Sequence, residues 1–253
     1  MVKQVDLDKF GYFSSFRQST VILMHSMVRL ARLAGFLYLM IILFGLIAQV
    51  FVRDRLVDYE NAAITATNIV NSESWYRFGF VSELIMLLCD VGVTALLFIL
   101  LKQTSKNLTI VTALFRFASI IILAVTALSH YAALPILAGP EYLQVFSEEQ
   151  LEALALFSIK LHGVGYNISL LFFGIHLILL GILMKLSVIF PKYLGALLLL
   201  GGIFYIINSL VWFQFPDWVG YIYPGILIPC ALGEWIFCIF LMVKGLKSVS
   251  SVS

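Results

Sequence analysis

Residues 78–101, FGFVSELIMLLCDVGVTALLFILL, form an apolar run that carries two carboxylates, Glu83 and Asp90. About 20 apolar residues cross the roughly 30 Å hydrocarbon layer of a bilayer as one helix. A helix is the expected form, because lipid offers no hydrogen-bond partner to a free backbone group. The run therefore predicts a membrane-spanning helix, and the two costly acids inside it mark the first place to look for a function.

The composition of the whole chain supports a membrane protein. Of its 253 residues, 62% are hydrophobic and 12% are charged, and the mean hydropathy is +1.03. Soluble domains are about 45–50% apolar and about 25% charged. A net charge of +2 without a basic stripe gives no indication of nucleic-acid binding. The three cysteines are scattered without a CxxC pair, which disfavours a disulfide framework or a zinc ribbon.

Six stretches are long and apolar enough to cross a membrane, and they predict an all-α, polytopic transmembrane helix bundle. The predicted spans are 33–52, 78–101, 108–134, 154–184, 194–213 and 221–243. They give one six-helix transmembrane domain over residues 33–245. Residues 1–32 form an N-terminal segment that can include an amphipathic helix on the membrane surface, and residues 246–253 form a tail.

The charges of the connecting segments predict an orientation, because cytoplasmic loops are enriched in Lys and Arg. One side of the membrane collects eleven basic residues: Lys3, Lys9, Arg17, Arg29, Arg32, Lys102, Lys106, Lys185, Lys192, Lys244 and Lys247. The other side has Arg53, Arg55, Arg77 and Lys160 and most of the acids. Both termini are therefore predicted to be cytoplasmic, in a multi-pass protein of the cell membrane.

Ionisable side chains within the spans sort into two depths when each helix rises about 1.5 Å per residue. The predicted outer cluster comprises Glu83, His130, His162 and the amide of Asn208. The predicted inner network comprises Asp90, Arg116, His176 and Glu234. Several of these positions lie seven or fourteen residues apart on one helix, and therefore on nearly one face. We expect these faces to point into the bundle.

Each group allows a structural and a functional interpretation. In the inner network, Arg116 can pair with Asp90 and Glu234 while His176 hydrogen-bonds the remaining carboxylate oxygen. That arrangement either fixes helix packing or relays a proton or substrate. In the outer cluster, Glu83, His130 and His162 form a ligand set that zinc uses in catalytic sites. There are two alternatives for the outer cluster. Its side chains can form hydrogen bonds that only join helices, or the two histidines can bind a single haem between them. No cofactor is otherwise predicted.

Two further patterns concern packing. The fourth span contains Gly163, Gly165, Gly174 and Gly181, and small residues let neighbouring helices approach closely. Packing is favoured over space for a ligand. Ser147 followed by Gln150 predicts a capping box at the start of the same helix, and residues 61–74 predict a short surface helix.

Several stretches resemble a bacterial membrane family known as domain of unknown function number 4386. They are RLAGFLYL (32–39), FGFVSELIMLLCDV (78–91), LHGVGYNISLLFFGIHLILLGILM (161–184), PKYLGALLLLGGIFYI (191–206) and LGEWIFCIFLMVKG (232–245). The resemblance covers the chain from about residue 29 to 245. It implies a single six-span domain in a bacterial inner or plasma membrane, and it carries over no functional residues.

Three functional hypotheses follow. The first is binding or transport of a small solute or a proton through the polar interior of the bundle. The second is a structural or accessory membrane protein whose polar groups only join helices. The third is an intramembrane metal-dependent hydrolase that uses Glu83, His130 and His162. The motifs of soluble enzymes are absent, so an enzyme is the less favoured class. The predicted partners are the lipid bilayer and a small-molecule ligand, and the sequence indicates no oligomeric state.

Overall fold

A computed structural model describes the backbone of residues 7–246 and the side chains of residues 25–246, and the elements in this range are helical. The main helices are α1 (Leu7–Leu46), α2 (Ala62–Asn71), α3 (Glu73–Leu101), α4 (Lys106–Leu137), α5 (Glu148–Leu186), α6 (Lys192–Gln214), α7 (Pro216–Ile222) and α8 (Ile228–Val243), and Glu141–Leu143 and Gly225–Leu227 form short 3-10 helices. After Leu46, α1 continues as a π-helical segment, Ile47–Arg53, and one further turn, Asp54–Leu56. The all-α fold class is confirmed.

The six predicted spans are confirmed within the described residues. The helices long and apolar enough to cross a membrane are His25–Leu56, Glu73–Leu101, Lys106–Leu137, Glu148–Leu186, Lys192–Gln214 and Gly225–Val243. The predicted N-terminal segment, 1–32, is helical from Leu7 and continuous with the first span. A position on the membrane surface stays a prediction, and most of the predicted tail, 246–253, lies outside the described residues.

The spanning helices form a ring in chain order. Each of α1, α3, α4, α5, α6 and α8 packs against the next, and α8 closes the ring against α1. Short connections at 102–105 and 187–191 explain why α3 pairs with α4 and α5 with α6. We call the end of the bundle that carries α2 the α2 end; it is the end predicted to face outward.

The polarity of the bundle is that of a membrane protein, with apolar side chains outside and polar ones inside. On α4, Leu114, Ile121, Val125 and Leu128 are 60–68% exposed on the outer surface of the bundle. On the same helix, Arg116 and His130 are 1% and 0% exposed. Lipid favours this arrangement because it solvates apolar side chains. Charged side chains are costly in lipid and pair with one another inside the bundle.

Glycines let α5 and α6 pack backbone against backbone. A Cβ placed on Gly174 would lie 2.8 Å from the carbonyl oxygen of Gly202, and one on Gly181 would lie 2.5 Å from that of Gly195. Real Cβ atoms essentially never come so near a backbone atom. The fourth span therefore uses these two glycines for packing, as predicted.

The two local predictions are also confirmed. Ser147 and Gln150 form a capping box at the start of α5. The predicted surface helix is α2, and the side chain of Asn61 caps it by accepting a hydrogen bond from Ile64 N at 3.0 Å. Thr65, Ala66 and Ile69 of α2 are buried, and α2 packs against α5.

Candidate functional site

A buried carboxylate, Glu83, is the centre of a polar cluster near the α2 end. Its Oε1 lies 2.7 Å from His162 Nε2, and its Oε2 lies 3.0 Å from His130 Nδ1. The three side chains belong to α3, α4 and α5, and each is 3% exposed or less. The structure thus brings together three of the four residues of the predicted outer cluster.

Arg53 is the fourth member of this cluster, and no pattern in the sequence indicated it. Its Nη1 donates to Glu83 Oε2 at 3.1 Å and lies 3.1 Å from His162 Nε2. Gln49, one turn earlier, accepts from Arg53 Nε at 3.0 Å and from Nη2 at 2.7 Å. The predicted first span ends at residue 52, which puts Arg53 in a loop. Extending the predicted helix by one turn past the apolar run would have included Arg53 in it. We call Arg53, Glu83, His130 and His162 the Glu83 cluster.

The π-helical segment at the end of α1 supplies Arg53. It runs over Ile47–Arg53 and holds both Gln49 and Arg53. A π-helical turn adds a residue to the turn and is found frequently at functional sites. Arg53 is 4% exposed, so its charge is removed from the surface and is balanced by Glu83.

His130 has one ring nitrogen left over. Its Nδ1 is bound to Glu83, whereas its Nε2 is buried without a hydrogen-bond partner in the part of the chain that the structure describes. Tyr76 packs its ring edge-on at 4.8 Å from the His130 ring and donates its hydroxyl to the His130 carbonyl at 2.9 Å. Most buried polar atoms have a partner, so this nitrogen has free capacity for a proton or a ligand.

Asn208 does not join the Glu83 cluster, which corrects the prediction. Its Nδ2 donates to Asn167 Oδ1 at 3.4 Å, across the α5–α6 contact. Asn167 Nδ2 in turn donates to the Gly163 carbonyl at 3.0 Å. Asn208 matches Glu83 in depth, but depth does not fix the direction in which a side chain points around the ring. The amide pair continues the line of close contact set by the glycines.

Three residues of the predicted inner network meet deeper in the bundle. Arg116 Nε donates to Asp90 Oδ1 in a short ion pair. Arg116 Nη1 lies 3.0 Å from His176 Nε2, and His176 Nδ1 lies 2.9 Å from the Thr112 carbonyl oxygen. Because a carbonyl oxygen only accepts, His176 holds its proton on Nδ1 and accepts from Arg116 on Nε2.

Glu234 does not pair directly with Arg116, which is the second correction. Its two carboxylate oxygens accept from Tyr38 at 2.8 Å and from Tyr205 at 2.6 Å. The Tyr38 ring lies 5.4 Å from the Arg116 guanidinium carbon, and the Phe173 ring lies 5.3 Å from it. Both are cation–π distances. Glu234 therefore joins the layer through tyrosines, which no spacing in the sequence indicated.

We call this deeper layer the Arg116 network; its members are Tyr38, Asp90, Arg116, His176, Tyr205 and Glu234. Helices α1, α3, α4, α5, α6 and α8 each contribute one member. Between it and the Glu83 cluster, Ser119 and Ser169 are hydrogen-bonded across α4 and α5 at 2.8 Å. The polar face shared by α4 and α5 therefore carries contacts at three successive depths.

A cavity of about 200 Å³ lies beside the site and not within it. Its lining includes Glu73, Arg77, Tyr131 and Leu134, near the α2 end. Arg77 and Glu73 form an exposed ion pair at 2.6 Å. None of the four members of the Glu83 cluster lines this cavity.

Comparison with known proteins places these residues in a family. The sequence model of a family described as domain of unknown function, DUF4386, matches residues 33–245. An uncharacterized protein of Archaeoglobus fulgidus is 31% identical over 179 residues, which cover 70% of this chain and 89% of that relative. No solved structure matches the chain.

Proposed function

The chain belongs to the DUF4386 family, and we propose that it is a membrane protein that binds a proton, or a small solute carrying one, in the bundle and passes it along the α4–α5 face. The observation that carries the proposal is the Glu83 cluster. There a buried carboxylate is shared by a guanidinium and two imidazoles, and one imidazole nitrogen has no partner among the described residues.

The chemistry of the cluster supports proton binding. Imidazole is the side chain whose ordinary titration range lies nearest neutrality. A proton on His130 or His162 would be attracted by Glu83 and repelled by Arg53, so the cluster balances two opposing effects at short range. Ser119 and Ser169 lie between the cluster and the Arg116 network, and hydroxyls both donate and accept.

Orientation and location are part of the proposal. The excess of Lys and Arg on one set of loops supports cytoplasmic termini, and the six long apolar helices support a multi-pass position in the cell membrane. In that orientation the Glu83 cluster lies near the outer face and the Arg116 network lies nearer the cytoplasm.

Proteoliposomes that hold a pH-sensitive dye test the proposal. Under an imposed pH gradient, we expect the wild-type protein to speed equilibration, and Glu83→Gln to abolish that effect. Glu73→Gln is the matched control, because Glu73 lies on the same helix and forms an exposed ion pair. Equal flux in wild type and Glu83→Gln overturns the proposal, as does a wild-type rate no higher than that of empty vesicles.

A second function, a structural or accessory role, is favoured by the Arg116 network. The network joins six helices, and Arg116 is enclosed by Asp90, His176 and two aromatic rings. A buried, fully partnered arginine of this kind fixes how helices pack. This role predicts that Arg116→Ala and Asp90→Asn lower thermal stability. Proton flux measured at low temperature should be the same in both variants as in the wild type. Loss of proton flux in Asp90→Asn at full stability would contradict it.

A further inference from the structure

We propose that Glu83, His130 and His162 form a binding site for a divalent transition-metal ion, and that Arg53 keeps this site closed. The inference goes beyond proton passage, since metal binding is measurable in detergent without any flux. It rests on the donor set, on the free nitrogen of His130, and on the position of the Arg53 guanidinium.

The donor set suits such an ion. Two imidazoles and one carboxylate are protein ligands that zinc uses in sites with an open fourth position. Here one donor atom from each residue lies within 4.8 Å of the others. Tetrahedral zinc with ligand bonds of about 2.0–2.2 Å holds its ligands about 3.3–3.6 Å apart. The largest donor separation therefore exceeds this range by no more than about 1.2 Å.

His130 provides an independent observation. A neutral histidine can bind an ion through either ring nitrogen, and the other nitrogen then carries the proton. His130 already has Glu83 on Nδ1 at 3.0 Å, while its Nε2 is buried and unpartnered among the residues that the structure describes. The ring proton can therefore move to Nε2 without displacing a partner, which leaves Nδ1, the nitrogen that faces Glu83, free to bind an ion that it shares with the carboxylate.

Arg53 occupies the position from which a cation would approach. Its Nη1 lies 3.1 Å from both Glu83 Oε2 and His162 Nε2. A guanidinium at that distance repels a divalent ion, and both cations compete for the same carboxylate. Metal binding consequently requires the Arg53 guanidinium to leave its place beside Glu83 and His162.

The competition makes a specific prediction about Arg53→Gln. The shorter, neutral glutamine side chain no longer repels the ion. We expect Arg53→Gln to bind zinc at least about tenfold more tightly than the wild type, because the ion no longer competes with a cation for Glu83. This variant keeps the proposal testable even where a loss of Glu83 prevents folding.

The experiment uses the full chain in detergent micelles, stripped with a chelator and titrated with zinc against a coloured competing chelator. We expect one zinc per chain in the wild type, and loss of that zinc in Glu83→Gln and His162→Gln. His176→Gln is the matched control, because His176 is a buried histidine on the same helix that belongs to the other layer. Circular dichroism and size-exclusion profiles check that each variant is folded.

The outcomes separate cleanly. If Arg53→Gln binds zinc and the wild type does not, the proposal is supported, because the site then exists and Arg53 prevents the ion from binding. Absence of stoichiometric zinc in both wild type and Arg53→Gln overturns it. Zinc binding that is unchanged in folded Glu83→Gln, or lost equally in His176→Gln, overturns it as well. Equal affinity of wild type and Arg53→Gln refutes the role of Arg53. Loss of proton flux with intact zinc binding would affect only the proposed function.

Discussion

Arg53 Nη1 lies 3.1 Å from Glu83 Oε2, and the two side chains are 5% and 1% exposed. This ion pair joins the end of α1 to α3 near the α2 end of the bundle. Removing one partner of a buried pair leaves the other charge uncompensated and costs about 3–5 kcal/mol. The Glu83 cluster therefore depends on Arg53 for its charge balance when no other cation is bound there.

The first prediction concerns stability. Arg53→Ala leaves Glu83 buried with two imidazoles as its only remaining partners in the cluster. We expect the apparent unfolding midpoint in detergent to fall by about 10 °C, taking roughly 2–4 °C per kcal/mol for a chain of this size. Intrinsic fluorescence during heating measures it.

The matched control is Arg55→Ala. Arg55 lies two residues further along the chain, is exposed, and stacks over the Phe51 ring at 5.8 Å. Surface substitutions usually change stability by about 0.5 kcal/mol or less. Equal midpoints for the two variants would show that the Arg53–Glu83 pair contributes nothing to the fold.

The second prediction concerns the tyrosines that hold Glu234. Tyr38→Phe and Tyr205→Phe each remove one hydroxyl donor, at 2.8 Å and 2.6 Å from the carboxylate. Hydrogen bonds to charged groups contribute about 1.5–3 kcal/mol, so each variant is expected to unfold at lower temperature. The double variant should lose more than the sum, because the last donor leaves the carboxylate unpartnered.

Two further variants make this test specific. Tyr193→Phe is the control, since Tyr193 is 55% exposed on α6 and its loss should be near neutral. Adding Glu234→Gln to the double tyrosine variant should recover part of the loss, because a neutral amide needs less compensation than a carboxylate. If Tyr38→Phe and Tyr205→Phe each unfold at the same temperature as Tyr193→Phe, the role assigned to the two hydroxyls is refuted.

Much of the fold and part of the site follow from the sequence. The number of spans and the depth of each polar residue depend on hydropathy and on a constant helical rise, and both are properties of the sequence. For that reason hydropathy and spacing suffice to group Glu83 with His130 and His162. The same two properties group Asp90, Arg116 and His176.

The remaining contacts depend on the arrangement of helices around the ring. Asn208 has the right depth but faces Asn167, and Glu234 meets tyrosines from α1 and α6. Depth alone cannot distinguish these directions. Arg53 was not predicted for a different reason. A π-helical segment extends α1 past its apolar run and places Arg53, which was predicted to lie in a loop, inside the bundle.

The third prediction concerns orientation in the membrane. Loop charges predict that residues 102–105 lie in the cytoplasm and residues 138–147 outside. In a background without native cysteines, Glu141→Cys should react with a membrane-impermeant maleimide on intact cells. Gln103→Cys should react only after the cells are opened. Both positions are exposed, so accessibility within the protein does not bias the comparison. The reverse labelling pattern would refute cytoplasmic termini.

The last prediction tests the contact between α5 and α6 by comparing two Gly→Ala variants, which are expected to shift the unfolding midpoint in opposite directions. In an open helical position, Gly→Ala stabilises a protein by about 0.5–1 kcal/mol, because alanine has less backbone freedom to lose. Gly163 is such a position, with no atom within 4 Å of an added Cβ. At Gly174 the Cβ would lie 2.8 Å from the Gly202 carbonyl oxygen, and overpacking costs about 1–3 kcal/mol. We therefore expect Gly163→Ala to raise the unfolding midpoint and Gly174→Ala to lower it. A rise of the midpoint in both variants would show that helix propensity, and not close approach, decides both positions. A fall in both would show that Gly163 is not an open position.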